Sequence, residues 1–347
     1  VKALKVWLLI FVIATSGYSQ KKVVIKFATL APEGSTWLKV MREYNQEIQK
    51  LTNGTVKFKI YPGGIQGDEK AVVRKIRLGQ LHSAGFTGVG LGEILPEVRI
   101  LDSPLLFQSY EEVDYVTNLL YPDFDKKFEE VGYILLGWVE VGFVYVFAQK
   151  PITSLSDLQG TKMWMWEGDP ISEATFRALR VSAIPLSITD VLTSLQTNLI
   201  EAVYTSPLAC VSLQWYTRVK YMINQPLADA EGAVLISKKM FNKIPPEYQE
   251  LVKKKGREYM KRLVQLSRKD NEEAIRLMKK NGIQIVDIPP ENQPAFYEAG
   301  EKARRSLVGK LYSQELLDKV EKALKEFRSR STSDKKPRKT ETKSYQK

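Results

Sequence analysis

KVVIKFATLAPEGSTW, residues 22–37, sets the reading of the fold. Val23, Val24, Ile25 and Phe27 make residues 23–29 a strand rich in β-branched and aromatic side chains. The chain then turns at Pro32-Glu33-Gly34, and Ser35 or Thr36 is placed to cap a following helix. Over about 36–52, Trp37, Val40, Met41, Tyr44, Ile48 and Leu51 recur at helical spacing. VKFKIYPGG (56–64) alternates as a second strand and stops at Pro62-Gly63-Gly64. A helix over about 67–79 and the glycine-rich SAGFTGVGL (83–91) complete strand, helix, strand, helix, strand. That alternation predicts an α/β fold with a parallel or mixed sheet covered on both faces.

Further along, helices are expected at 109–118 and about 122–131, followed by two strands in GYILLGWVEVGFVYVFAQKP (132–151) broken near Gly142. SLSDLQGTKMWMW (154–166), a helix at 171–179, the strand AIPLS, the helical TDVLTSLQTNLI and EAVYTSPLA repeat the strand–helix alternation in a second block. From Lys238 the character changes. A long amphipathic helix starts at Pro245 or Pro246 and is stopped by Gly282, and residues 291–326 are helical with an interruption near Tyr312-Ser313. The reading divides the chain into 1–19, 20–145 (mainly lobe 1), 146–237 (mainly lobe 2, with strands crossing back), 238–327 (helices packing on both lobes) and 328–347.

Residues 1–19, with Lys2 and Lys5 before the apolar VWLLIFVIAT and then SGYSQ, read as a secretory signal peptide cut near Ser19–Gln20, so an exported, periplasmic product is expected. The formal charge is +12, and half of it lies in the last twenty residues, where eight Lys/Arg face Asp334 and Glu341. With almost no apolar residues, 328–347 is expected to be a disordered, solvated tail with no nucleic-acid role. A lone cysteine, Cys210, excludes an internal disulfide and a Cys-based zinc site, and its apolar surroundings make it a core residue.

Catalytic signals are sparse. His82 is the only histidine, GxSxG is absent, and GFTGVGLG lacks the GKS or GKT of a phosphate loop. Glu167 and Asp169 are two residues apart in a turn, so an acid pair for hydrolysis has little support. No enzymatic activity is expected.

Two sheet-centred lobes in an exported chain describe a periplasmic binding protein, whose pocket lies beyond the strand C-termini. That rule points to loops 29–36, 85–92, 138–145, 164–169 and 204–208. In KMWMWEGDP (162–170), Trp164 and Trp166 share one strand face while Met163 and Met165 take the other. The tryptophan pair is read as facing the cleft. The candidate ligand-binding set is Thr29, Ser35, Phe86, Thr87, Trp138, Glu140, Trp164, Trp166, Glu167, Thr205 and Ser206.

FATLAPEGSTW, YPGGIQGDEKAVVRKIRLGQL, SLSDLQGTKMW and ALRVSAIPLSITDVLTSLQTNLIEAVY resemble, in order and spacing, motifs of the solute-binding proteins of tripartite ATP-independent periplasmic (TRAP) transporters, dicarboxylate-binding branch. The resemblance covers roughly residues 22–326. It implies two α/β lobes with mixed sheets, crossing strands and a long helix spanning both. It also implies a monomeric receptor that hands a small organic solute to membrane permease subunits. A periplasmic sensor presenting its solute to a signalling protein is the alternative.

The family clamps a carboxylate with an arginine, and the motif match puts Trp164 at that position. A second basic contact, expected near Val144, is also missing. The resemblance therefore implies either a polar or zwitterionic solute stacked on Trp164, a cation, or a monocarboxylate, hydroxy acid or keto acid held by backbone N–H groups, by another arginine elsewhere in the chain, or by a bridging calcium or sodium ion. Glu140 and Glu167 are the candidate ligands for such an ion. Replacing Trp164 by Ala is expected to abolish or reshape binding and leave the fold intact.

Overall fold

The computed structural model describes residues 22–334, with side chains to Arg330. The expected leader at 1–19 and residues 335–347 of the basic tail lie outside the described residues.

The opening alternation forms as read. Strands β1 (Val23–Ala28), β2 (Val56–Tyr61) and β3 (Ser83–Thr87) lie side by side and parallel, with β1 in the middle. Helix α1 (Thr36–Leu51) begins where the Ser35 hydroxyl accepts the Leu38 N–H, and it buries Val40, Met41, Tyr44 and Ile48. Helix α2 (Glu69–Arg77) is capped in the same way by Asp68. The Nδ1 of His82 accepts the Lys26 N–H at 3.0 Å, a structural use of the only histidine.

Two expectations fail in the next segment. After the short helix α3 (Gly88–Gly92) and a 3₁₀ turn at Pro96–Asp102, residues 109–131 form one helix, α4 (Tyr110–Glu130), with Pro122 inside it. Proline removes one backbone hydrogen bond, but Val113, Val116, Leu120, Phe124 and Phe128 stay on one buried stripe across it, and that packing keeps the segment helical. Likewise the two strands expected in 132–151 are one 16-residue strand, β4 (Tyr133–Ala148). Gly142, at φ 105°, absorbs the break as a bulge, and pairing resumes beyond it.

Helix α5 (Leu155–Gln159), β5 (Met163–Trp166), α6 (Pro170–Leu179), β6 (Ala183–Leu186), α7 (Val191–Gln196), β7 (Ala202–Thr205), α8 (Pro207–Ser212) and β8 (Tyr221–Ile223) form the second block. Strand β9 (Ala228–Ser237) then returns antiparallel between β3 and β4. The resulting order is β2-β1-β3-β9-β4-β7-β5-β6. The long β4 serves two sheets, one with β9 and the β1 group, the other with β7, β8 and the β5–β6 pair. The architecture is the two-lobed mixed α/β fold expected.

The C-terminal helices tie these parts together. After α9 (Lys238–Phe241), the 35-residue α10 (Pro246–Lys280) starts on Pro246, and Gly282 lies just past its end. It packs on β4, α1 and α8, and the Tyr44 hydroxyl donates to its Val252 carbonyl at 3.0 Å. Strand β10 (Gln284–Val286) pairs with β8, α11 (Gln293–Leu307) lies on α6, and α12 (Gln314–Asp334) lies on α4. Cys210 is fully buried.

The expected tail boundary at Arg328 is corrected. Helix α12 continues through Asp334, and Arg328 forks onto Glu112, with Nε–Oε1 at 2.7 Å and Nη2–Oε2 at 2.8 Å. That pair holds the C-terminal turns against α4.

Helix α10 approaches β4 through glycines. A Cβ on Gly256 would fall 2.5 Å from the Leu136 carbonyl oxygen, and one on Gly137 would fall 2.6 Å from Met260 Cβ. Gly256→Ala is therefore expected to cost about 1–3 kcal/mol by overpacking. Urea unfolding should show a lower midpoint at unchanged slope.

Candidate functional site

Strand β5 carries the tryptophans to one side, as its alternation requires. Met163 packs with Phe176 and Leu179 in a separate cluster, whereas Trp164 and Trp166 stand 5.9 Å apart, centroid to centroid, beside Trp215 and Tyr204. They wall a cavity of ≈ 160 Å³ between the two sheets, which Thr87, Thr205 and Ser206 also line. A second hollow of ≈ 110 Å³ adjoins it, lined by Thr29, Ser35, Phe86 and Thr87 among others. Thr87, Val141 and Ile188 border both, so the two form one cleft.

Three expected site residues lie elsewhere. The β4 bulge turns Val141 and Val144 toward the cleft and sends Trp138 and Glu140 to a side cavity between α4 and α10. There Trp138 stacks on Tyr121 at 4.2 Å and donates to Asp125 at 2.8 Å, while Glu140 pairs with Arg268. Glu167 is exposed in the turn after β5 and lines neither hollow. The pairing of Glu140 with Glu167 as ion ligands is thus corrected. Among the described residues, the acids close enough to share a cation are Glu140, Asp229 and Glu231.

Trp164 is almost wholly enclosed, and its Nε1–H donates to the Leu186 carbonyl at 3.0 Å. It offers the cleft a ring and no free donor. The glycines of GFTGVGL admit side chains instead of a ligand: a Cβ on Gly88 would sit 1.6 Å from Asp102 Oδ2.

The polar residues that organise the cleft were mostly not foreseen. Arg99 is buried between two carboxylates, with Nε 2.7 Å from Asp102 Oδ2 and Nη1 2.7 Å from Asp169 Oδ1. The signal was available, since VRILDSPLLF places an Arg and an Asp inside an apolar run, and buried charges are rare unless paired. Asp169 also caps α6, accepting the Ser172 N–H at 3.1 Å. Burial alone would raise Asp169, but the Arg99 charge and hydrogen bond outweigh it and hold the acid below the ordinary range. Burial dominates at Asp102 and pushes it up to about 6 against the pull of Arg99. Asp169 is therefore the firmly ionised partner.

The WEGDP turn is also clasped to the first block. Asp68 accepts from Trp166 Nε1 and from the Ser187 hydroxyl, each at 3.0 Å, and Lys70 donates to the Gly168 carbonyl at 2.7 Å. With Arg99–Asp169, these bonds close the cleft at one edge.

Among the described residues lining the two hollows, Arg99 is the sole basic side chain, against Glu69, Asp102, Asp169 and Asp229. Glu69 is occupied, accepting from the Thr87 and Gly90 N–H groups and the Thr87 hydroxyl. Asp229 is fully buried, and neither of its oxygens has a hydrogen-bond partner among the described residues. Burial first, then the charges of Glu140 and Glu231, drive its pKa far above the usual carboxylate range.

A family model described as bacterial extracellular solute-binding protein, family 7, matches residues 27–310. The 2,3-diketo-L-gulonate-binding periplasmic protein YiaO of Escherichia coli is 24% identical over 251 residues, covering 71% of this chain and 75% of the relative. The fold is similar to that of the sugar acid binding protein DctPAm from Advenella mimigardefordensis in complex with galactonate, at TM-score 0.82 and 21% identity, covering 88% of this chain and 99% of that one. A TRAP periplasmic solute-binding protein from Desulfovibrio salexigens with bound orotic acid gives TM-score 0.80 at 20% identity, with 88% and 99% covered. Among the described residues, no helix is long and apolar enough to cross a membrane.

Proposed function

This chain belongs to family 7 of the bacterial extracellular solute-binding proteins, and from that premise we propose that it captures a small organic solute between its two lobes and delivers it to the permease subunits of a TRAP-type importer. The named relatives bind a diketo sugar acid, a sugar acid and a flat ring acid. The solute here is a small molecule with a flat or apolar body, either a zwitterion or a monocarboxylate, hydroxy acid or keto acid. One observation carries this: among the described residues lining the cleft, the sole basic side chain, Arg99, already holds two aspartates, while Trp164 presents a ring at the position to which the motif resemblance assigns the family's arginine. A dicarboxylate would bring a second charge into a cleft with no free cationic side chain among the described residues, and a polyhydroxylated chain would lose its water hydrogen bonds against the tryptophan and aliphatic wall. The two hollows are each about the size that admits one six-membered ring, by analogy with the roughly 150 Å³ apolar cavity that takes benzene.

The test is a thermal-shift and calorimetric panel. Orotate, other ring monoacids and aromatic zwitterions are expected to raise the melting temperature by mass action, with D-glucuronate, galactonate and succinate giving little. Tight succinate or galactonate binding, with no response to ring-bearing solutes, would overturn the solute class. Trp164→Phe keeps a ring but loses the bond to Leu186 and should weaken the best solute by about tenfold, roughly 1.4 kcal/mol.

A further inference from the structure

The bulge in β4 gathers three acids with too few partners. Carboxylate oxygens of Glu140, Asp229 and Glu231 all lie within 4.8 Å of one another, and all three residues are buried. Arg268 neutralises one flank: Nη2 lies 2.6 Å from Glu140 and 2.6 Å from Asp114, and its guanidinium rests 4.3 Å from the Tyr110 ring centroid. Glu231 accepts from the Tyr121 hydroxyl at 3.0 Å. Among the described residues Asp229 has no hydrogen-bond partner on either oxygen, although it is wholly enclosed and borders the cleft. One guanidinium therefore stands against Glu140 and Asp114, and among the described residues no positive group contacts Asp229 or Glu231. A buried carboxylate with no partner is strongly disfavoured unless a cation or a proton joins it.

We propose that Glu140, Asp229 and Glu231 form a site for a hard divalent cation, calcium by preference. The donors are all carboxylate oxygens, the set hard cations take, and oxygens spaced this way suit ligand distances of about 2.3–2.6 Å. Calcium tolerates irregular cages better than magnesium, which keeps its waters. A route exists: Glu140 and Glu231 open onto the side cavity of ≈ 480 Å³ between α4 and α10, whereas Asp229 borders the cleft. The site needs no solute and does not rest on the proposed solute class.

Protein treated with a chelator, then dialysed, should be titrated with calcium chloride alone by calorimetry and thermal shift. One equivalent is expected to bind, with a melting temperature that rises with calcium concentration. Terbium should bind in its place and luminesce through Tyr110 and Tyr121. Asp229→Asn and, separately, Glu231→Gln should each weaken calcium by about tenfold or more, since affinity follows ligand charge. Asp229→Asn should also raise the melting temperature of the calcium-free protein, because it removes an acid that must take up a proton to be buried there. Absence of saturable calcium binding up to millimolar concentration would overturn the proposal, as would binding that survives both substitutions.

Discussion

Arg99→Ala is expected to destabilise the protein by about 3–5 kcal/mol, the range for removing one member of a buried ion-pair set. The arginine joins the 3₁₀ turn of the first block to the N-terminus of α6 in the second, through Asp102 and Asp169. Alanine would leave the buried Asp169 carboxylate without its counter-charge, so it must stay unpaired or take up a proton. A second substitution separates charge from geometry. Asp169→Asn retains a side chain that can cap α6 but removes the charge, so combining it with Arg99→Ala should recover part of the loss. Urea unfolding reads both variants. A single-variant loss below about 1 kcal/mol, with no recovery in the double, would mean the triad contributes little to stability, against the range for a buried pair.

Trp164→Ala is the second large effect, at about 3–5 kcal/mol of stability, the range for truncating a buried tryptophan. This corrects the expectation that the fold would be indifferent to the change. Trp164 is enclosed by Tyr204, Trp215 and Trp166, so its loss leaves a void in a packed cluster as well as a gap in the cleft wall. Solute binding and melting temperature should fall together in Trp164→Ala, whereas Trp164→Phe should lose less stability, since a ring still fills most of the space although the Leu186 carbonyl is left without its donor. Equal melting temperatures for Trp164→Ala and the parent protein would return this residue to a purely lining role.

The two halves of this molecule were unequally legible in its amino acids. Periodicity located β1, α1, β2, α2, β3 and the 35-residue α10, because each has one apolar stripe and a hard stop such as Pro62, Gly79 or Gly282. It failed at Pro122 and Gly142, where local breakers are overridden by packing on both sides. At the site, alternation correctly put Trp164 and Trp166 on one face, and Thr29, Ser35, Phe86, Thr87, Thr205 and Ser206 border the cleft. Trp138 and Glu140 were misplaced because a one-residue bulge reverses which face a strand residue takes, and no composition signal marks that register. Arg99 has one partner nearby, Asp102, but its second, Asp169, is distant along the chain, as Glu140 is from Asp229, a relation that single-chain patterns do not encode.

The continuous β4 makes the molecule indivisible. One strand supplies an edge to both sheets, β9 returns to the first after the second is built, and α10 covers elements of each. Cutting the gene at any point between these segments would strip a sheet of a central strand, so neither lobe could be produced alone. For the same reason, a hybrid that joins one lobe of this chain to the other lobe of a different one is expected not to fold unless β4, β9 and α10 come from the same parent.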